Sequence, residues 1–440
     1  MKVLVIGSGG REHALIWALK QTSAVPLKLY CAPGNAGIAQ LAECADISVN
    51  NHSALLDFAR AEAVDLTIVG PEVPLANGIV DDFENGGLKI VGPSQAAARL
   101  ESSKAFAKNF MRRHAIPTAD YLIANSCDEA LQAVRSGRFG DALTPVVVKA
   151  DGLAAGKGVI VAPSRAEAER AIAELLSGSL ITQEAASHVV IEEALEGREV
   201  SILLFAHGSD YALMPAARDH KRIGENDTGP NTGGMGAITD TSVLDAETLE
   251  QIVREVVEPT LDGAIEEGFP FRGVLFIGLM LTADGPKVLE YNVRFGDPET
   301  QAILIRLESD LFEIFQALVD GRLRDINVRW YKGASACVVL ANGGYPGPYE
   351  TGARIAGLDR VIVGPGLQVF HAGTSWSETG ELVTAGGRVL GVTARQATLD
   401  EALARCYKAV DQIDWPGKQY RRDIGSFAQY QKAKSSESKL

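Results

Sequence analysis

The sequence predicts a multidomain protein of mixed α/β and α+β class: first a parallel sheet with helices on its faces, then antiparallel sheets. Three observations carry that expectation. The first hundred residues alternate short apolar runs with helical patterns, the signature of a parallel sheet. Beyond Pro117 the runs take on an antiparallel character, interrupted by charged helical stretches. At 440 residues the chain has room for about three domains.

Taken in order, strands are expected at Lys2–Gly7, Leu27–Ala32, Asp65–Gly70 and Leu88–Gly92. Helices intervene at Arg11–Lys20, Ser53–Ala63 and Ala76–Asn85. The turns that follow the strands (Gly7-Ser8-Gly9-Gly10, Ala32-Pro33-Gly34-Asn35, Gly70-Pro71-Glu72 and Gly92-Pro93-Ser94) would then share the carboxyl edge of the sheet. That edge is where open α/β folds bind ligands. Ala96 to about His114 reads as one long helix, stopped before Pro117. Antiparallel strands are expected at Pro145–Ala150, Gly158–Ala162, Val189–Ala194, Val200–Ala206, Val274–Thr282 and Lys287–Val293. Helical runs fall at Ala246–Glu267 and Glu299–Asp320. A third region has strands near Ala334–Ala341, Leu367–Ala372 and Arg388–Thr393, then a helix at Leu399–Ile413. The expected division is 1–100, 101–327 and 328–430, with a disordered tail at 431–440.

Composition narrows the function. The chain is 46% hydrophobic and 22% charged with a formal net charge of −14, which predicts a packed globular core. A net charge of that sign, with no basic patch to override it, argues against nucleic acid and anionic membrane as partners. The strongest apolar stretch, Gly273–Ala283, is far short of the ~20 residues of a membrane span. Five scattered cysteines without CxxC spacing fit a reducing compartment, and a cytoplasmic enzyme is expected. The terminal Ser438-Lys439-Leu440 matches a peroxisomal address, but on a polar tail a three-residue match arises easily by chance.

Gly7-Ser8-Gly9-Gly10-Arg11-Glu12-His13 follows a strand and opens a helix, a geometry that receives phosphate. It nearly matches the dinucleotide fingerprint, but Glu12 stands at the third glycine position and the second strand ends without a ribose-binding acid. NAD is disfavoured, and a smaller sugar phosphate fits better. The bland alternative is a tight turn that simply needs glycine.

Val146–Val161 contains Lys149, then Gly152, Gly156, Lys157 and Gly158. A Walker A reading fails: the spacing is one residue short, Gly158 replaces Ser/Thr, and a strand follows. A glycine-rich hairpin between strands can close over nucleotide phosphates, with Lys149 reaching them as a point charge. An ordinary hairpin would explain the glycines but not the two lysines.

In Leu289–Arg294 strict alternation puts Glu290, Asn292 and Arg294 on one strand face. A carboxylate and an amide oxygen two residues apart suit a hard cation, Mg²⁺ above all, and Arg294 suits phosphate or carboxylate oxygens. The alternative is a solvated face with an ion pair. The following Gly296-Asp297-Pro298-Glu299 turn favours a site. Arg218–Gly236 reads as a long polar loop rich in glycine, an anion-binding loop by composition. His220 within it is a candidate base or a surface residue. Glu192–Glu199 ends a buried strand at an acidic linker.

The order of these motifs resembles the ATP-grasp superfamily of carboxylate–amine ligases. Within it the chain resembles the phosphoribosylamine–glycine ligase family, through VIGSGGREHAL, APGNAG, VGPE, VVKADGLAAGKGV, DHKR, GPNTGGMGA, RFGDPETQ, HAGT, GGRVLGV and YRRDIG. The resemblance implies a Rossmann-like N-terminal domain binding phosphoribosylamine, an ATP-grasp core with a mobile lid at about Tyr121–His188, and a small C-terminal α/β lobe. Gly7, Ser8, Gly9, Gly10, Asn35, Pro71 and Glu72 would meet the sugar phosphate. Lys104 and Lys149 would contact ATP phosphates beneath the Gly152–Gly158 loop. Glu192 and the Ala194–Leu195 backbone would meet adenine, and Glu199 the ribose. Glu290 and Asn292 would hold Mg²⁺ or Mn²⁺, while Asp219, Lys221 and Arg294 would border the acceptor and phosphate site and take the catalytic roles. Many relatives in the wider superfamily carry another metal-binding acid on the preceding strand. Val274–Leu279 carries none.

The implied reaction joins glycine to 5-phosphoribosylamine with ATP, through glycyl phosphate, as a step of purine synthesis by a monomer. The rivals are another ATP-grasp ligase or carboxylase, marked by bicarbonate-dependent ADP release, and an NAD-linked module, marked by tighter binding of NAD than of ATP.

Overall fold

The computed structural model describes residues 1–153, 158–177 and 188–426. Gly156, Lys157 and the tail at 431–440 with its terminal Ser-Lys-Leu lie outside the described residues.

The apolar run Val3–Ile6, entirely buried, forms the middle strand β1 (Lys2–Gly7) of a five-stranded sheet. With β2 (Lys28–Pro33), β3 (Glu43–Cys44), β4 (Leu66–Val69) and β5 (Ile90–Val91) it gives the order β3-β2-β1-β4-β5, all parallel. The run is apolar at every position because both faces are covered: Leu4 and Ile6 join one core cluster, Val3 and Val5 another. The strand order reverses between β1 and β4, so the turns Gly7–Gly10 and Gly70–Glu72 flank the switch point, where such sheets open a crevice.

A second sheet is antiparallel, ordered β6-β9-β7-β8, from β6 (Tyr121–Ala124), β7 (Val146–Ala150), β8 (Val159–Ala162) and β9 (Val189–Glu193). Helices Cys127–Arg135 and Arg165–Leu176 pack on it, each capped by a serine side chain (Ser126 and Ser164). This unit has its own core, in which Val146 and Val148 meet Ile172, Leu175 and Ile191.

The third sheet is the largest. It is built from β10 (Arg198–His207), β11 (Asp210–Leu213) and β12 (Ala217–Asp219), then, past a side hairpin of β13 (Arg222–Gly224) and β14 (Thr228–Asn231), from β15 (Gly236–Thr239), β16 (Arg272–Thr282) and β17 (Gly285–Asn292). Strands β18 (Ala334–Ala341) and β19 (Leu367–His371) follow, then a small hairpin of β20 (Thr374–Trp376) and β21 (Leu382–Thr384), and β22 (Arg388–Gln396). The order β17-β16-β10-β12-β15-β18-β22-β19 runs unbroken. The third sequence region therefore extends the central sheet through the β15–β18 pairing and builds no large sheet of its own.

Four sequence expectations are corrected. The helix expected at Ala76–Asn85 is two, Glu72–Ala76 and Ile79–Asn85, parted at Gly78, whose φ of +84° is left-handed. The long helix from Ala96 is also two, Gln95–Ser102 and Lys104–Arg113; Ser103 leaves helical backbone and its hydroxyl caps the second by accepting from the Phe106 N–H. The run Glu299–Asp320 splits into Glu299–Leu304 and Leu311–Val319, the latter capped by Asp310. In each case a residue with a local backbone preference outweighs continuous helical periodicity. The polar stretch Arg218–Gly236 is largely ordered, with β12, the β13–β14 hairpin and the start of β15 inside it. Two buried residues explain this, one outside the stretch and one within it: Arg421 donates to the Arg222 carbonyl and to Asp227, and His220 Nε2 accepts from the Gly425 N–H. His220 is buried, and burial beside Arg421 and Arg218 drops its pKa to about 4, so it is a neutral structural acceptor and not a surface base.

Candidate active site

A cavity of about 450 Å³ opens where the three sheets meet, at the carboxyl edge of the first sheet. The crevice at the switch point supplies Arg11 and Glu72. Helices Gln95–Ser102 and Lys104–Arg113 supply Glu101, Lys104 and Lys108, and the second sheet supplies Lys149, Gly152, Gly158 and Glu192. From the central sheet come Asp219, Lys221, Glu290, Asn292 and Arg294. Residues far apart in sequence thus meet because three carboxyl-edge and strand-end segments converge.

On one wall Lys149 and Glu192 lie diagonally across the β7–β9 pair, with Nζ 3.0 Å from Oε1 in an ion pair off hydrogen-bond alignment. Lys108 binds the other oxygen at 2.9 Å and donates to Thr118. All three side chains are buried. Burial lowers the Lys108 ammonium to about 8, against the pull of Glu192. Lys149 also donates to the Leu289 carbonyl. Lys104 donates to the Gly152 carbonyl at 2.9 Å, and Asp151 accepts from the Ser103 hydroxyl and the Ala105 N–H. The Lys104–Arg113 helix N-terminus thereby holds the entrance of the glycine loop. Burial lowers the Lys104 pKa, though Glu290 opposes it.

The opposite wall carries the oxygen ligands. Glu290 and Asn292 point the same way on β17, as alternation requires. Loss of water pushes the Glu290 carboxyl up, but Lys221, Lys149 and Lys104 outweigh it and hold it below the ordinary range. Asn292 Oδ1 accepts from Arg294 at 3.2 Å. Gly278 stands opposite Glu290 in register, so the neighbouring strand adds no ligand there. Among the described residues no cluster of three metal-binding side chains occurs.

Lys221 lies 3.0 Å from Glu199 and 3.9 Å from Glu290. Burial would lower its pKa, but Glu199, Asp219 and Glu290 raise it well above normal. The nearby Asp219 and Glu299 carboxyls are both raised, first by burial and then by neighbouring acids. Arg294 is held between Glu101 at 2.9 Å and Glu72 at 3.3 Å. Glu101, on the helix before the break, also accepts from the Val293 N–H. Burial raises Glu72, yet Arg294 and Arg11 keep it below normal.

Several of the expected residues do not line this cavity. Gly7, Ser8, Gly9 and Gly10 are not among the residues lining the cavity, Ser8 being exposed to solvent, and the Gly9 N–H is taken by the Glu12 carboxyl group. Glu12, the residue that breaks the dinucleotide fingerprint, fills the position under Gly7 and Gly70 that a side chain there would need. The turn therefore carries an internal acceptor at one of the donors expected to meet phosphate. The Asn35 amide is fully engaged: it donates to the Ser8 and His371 carbonyls and accepts from the Gly37 and Ile38 N–H groups. It fixes its turn against β19 instead of facing the cavity. Pro71 precedes the Glu72–Ala76 helix. Ala194, Leu195 and Glu199 are not among the lining residues, although Glu199 reaches them through Lys221. Lys108, Glu101, Arg11 and Arg388 line the cavity without having been singled out. Lys108 carries no local signal, since it sits in an ordinary amphipathic helix. Arg388 lies inside the GGRVLGV motif, which marks it but not its role.

A lysine-lined cleft gripped between a glycine-loop sheet and a strand presenting a carboxylate and an amide defines an ATP-grasp enzyme. Comparison with known proteins makes this specific. Phosphoribosylglycinamide synthetase domains match in chain order: the N domain over residues 1–101, the ATP-grasp (A) domain over 102–300 and the C domain over 335–427. The phosphoribosylamine–glycine ligases of Xanthomonas axonopodis pv. citri and Brucella melitensis are 50% and 48% identical to this chain over 97% of both chains. The crystal structure of the phosphoribosylamine–glycine ligase of Thermotoga maritima superposes with a TM-score of 0.80 at 34% identity, covering 96% of this chain and 100% of that one. Biotin carboxylase from Campylobacter jejuni shares the fold with a TM-score of 0.71 at 15% identity, covering 95% of this chain and 92% of that one. The chain belongs to the phosphoribosylglycinamide synthetase family.

Proposed function

We propose that this chain ligates glycine to 5-phosphoribosylamine, converting ATP to ADP and phosphate, as a cytoplasmic monomer in purine synthesis. The observation that carries the reading is the cavity itself, which sets three lysines (Lys104, Lys149 and Lys221) around a Glu290–Asn292 pair and a double-braced Arg294.

Glycine's carboxylate is a poor electrophile because oxide is a hopeless leaving group. Transfer of the γ-phosphoryl to one carboxylate oxygen makes glycyl phosphate, and the sugar amine then attacks its carbonyl carbon and expels phosphate. Such chemistry needs positioning and charge neutralisation more than a covalent nucleophile. Lys104 and Lys149 neutralise the ATP phosphates, and Lys221 and Arg294 border the oxygens of the transferred group. Asp219 sits beside Lys221, where the attacking amine must shed a proton.

Mg²⁺ or Mn²⁺ fits the donor set: Glu290 and Asn292 offer two hard oxygens, one charged and one neutral, and Mg²⁺ commonly takes one or two protein ligands with phosphates and water completing its shell. Bound there, the ion would neutralise charge on the phosphates. Glu192 holds two buried lysines, so its contribution to adenine binding is to fix Lys149 and the start of the linker, with Ala194 and Leu195 offering backbone to the base and Glu199 facing the ribose. Glu72 and the Gly7–Gly10 turn border the amine's site through Arg11 and Arg294. Among the described residues no helix is long and apolar enough to cross a membrane.

The test is ADP release with glycine and phosphoribosylamine supplied singly and together. Release only with both, accompanied by the ligated product, supports the assignment. Release that depends on bicarbonate would instead favour a carboxylase.

A further inference from the structure

Arg388 opens β22 in the C-terminal region, yet its guanidinium lies at the far side of the cavity among loops of the central domain. Its Nη1 donates to the Gly233 carbonyl, to the Gly234 carbonyl at 3.3 Å and to the Asp297 carbonyl at 2.6 Å. Its Nη2 lies 3.2 Å from the Asp297 carboxylate. The fork is thus spent on protein acceptors and leaves little for a substrate. The loop it grips is built to be gripped. A Cβ at Gly233 would come 3.0 Å from the Arg388 Cζ, and one at Gly234, where φ is +109°, would come 2.5 Å from Pro298 Cδ. Two glycines therefore let the chain pass between a flat cation and the Asp297-Pro298 turn. From the other side the Tyr345 hydroxyl accepts from the Gly233 N–H.

The gripped loop leads directly to the acceptor side of the cavity. The Thr232 hydroxyl accepts from the Gly234 N–H, and both the hydroxyl and the N–H of Thr232 donate to the Lys221 carbonyl. Asp297 in turn accepts from Gln301. Lys104, Lys149 and Glu192 lie on other elements and take no part in this chain of contacts.

We infer that Arg388 is a positioning residue by which the C-terminal region completes the acceptor half of the site, locking the Thr232–Gly234 loop to the Asp297 turn and so setting Lys221. The inference rests on the reading of this cavity as the ligase site. It predicts a split between substrates that a merely structural residue would not give. Lysine cannot serve instead, because one ammonium cannot reproduce a planar fork spanning two loops.

The test is steady-state ADP release by the full chain carrying Arg388→Met, Arg388→Lys or Gly233→Ala, with each substrate varied in turn. Losing charge-assisted hydrogen bonds of this kind should raise KM for glycine and the amine by about tenfold or more. KM for ATP should stay within about threefold, and Arg388→Lys should recover little. Gly233→Ala keeps the charge but pushes the guanidinium away, so it should reproduce the split, and it decides the matter if Arg388→Met does not fold. Equal shifts in all three KM values, unchanged KM values in Gly233→Ala, or full rescue by lysine would overturn the inference. Wild-type enzyme without ADP release on these substrates would instead remove the functional reading on which it rests.

Discussion

Lys149 and Glu192 form a buried ion pair at 3.0 Å across two antiparallel strands of the glycine-loop sheet, in the wall of the ligand cavity. Glu192 is shared with Lys108 at 2.9 Å, so one buried carboxylate answers two ammonium groups. Removing one partner of a buried pair strands the other charge, at a cost of roughly 3–5 kcal/mol.

Glu192→Ala should therefore lower stability by about that amount and also weaken ATP binding, because Lys149 loses the partner that aims it. Chemical unfolding and nucleotide titration read the two effects. A variant as stable as its parent would mean that water or another acid replaces the carboxylate.

Glu290→Gln keeps the shape of the side chain but removes the charged member of the Glu290–Asn292 pair. Turnover should collapse with the fold intact, and raised Mg²⁺ or Mn²⁺ should restore part of it. Asn292→Ala should act in the same direction but more weakly, since it removes a neutral ligand. Ordinary activity of Glu290→Gln at ordinary magnesium would contradict the metal assignment.

Acid should weaken the fold through its buried histidines. His220 is lowered to about 4, chiefly by burial and then by Arg421 and Arg218, while Asp227 and Asp423 oppose the shift. Between the unfolded value near 6.5 and about 4, the unfolded chain binds a proton that the folded chain refuses. Stability therefore falls as pH drops through that window, by about 1.4 kcal/mol per pH unit for one such group. His220→Gln, whose amide oxygen can still accept from Gly425, should flatten the slope of unfolding free energy between pH 6 and 4 by about one proton. An unchanged slope would show that His220 titrates normally.

Gly9→Val places a branched side chain where a Cβ already meets Glu12 Oε2 at 2.8 Å and Asp297 Oδ2 at 3.5 Å. Because the Gly9 N–H is committed to Glu12, the turn has less to give phosphate than its glycine count promised. The expected rise in KM for phosphoribosylamine is about tenfold, the loss of roughly one good hydrogen bond. ATP affinity without the amine should hold. Loss of ATP affinity with amine affinity intact would move the turn to the nucleotide site.

The sequence carried most of this architecture where periodicity and turn chemistry agree. The parallel sheet was legible because Val3–Ile6 of β1 is apolar at every position and its turns are glycine-rich; the Glu290–Asn292 face was legible because residues two apart on a strand share a face. The helix breaks at Gly78, at Ser103 and across Ile305–Asp310 were not, because helical spacing of apolar residues resumes on either side of each short interruption. Lys108, Glu101 and Arg388 were invisible as site residues for another reason. Their roles come from partners 84, 193 and 91 positions away, which only the packing of three sheets brings within reach. Asn35 is the opposite case: a polar residue in the expected turn, with its amide engaged in holding that turn together.

The central claim is that this cavity activates a carboxylate by phosphoryl transfer. It is tested most directly by supplying glycine labelled with ¹⁸O in both carboxylate oxygens, together with ATP and phosphoribosylamine, and analysing the released phosphate by mass spectrometry. One ¹⁸O atom should appear in phosphate for each amide formed, since the oxygen that accepts the γ-phosphoryl leaves with it. Phosphate free of ¹⁸O, or the label appearing in AMP instead, would contradict the account.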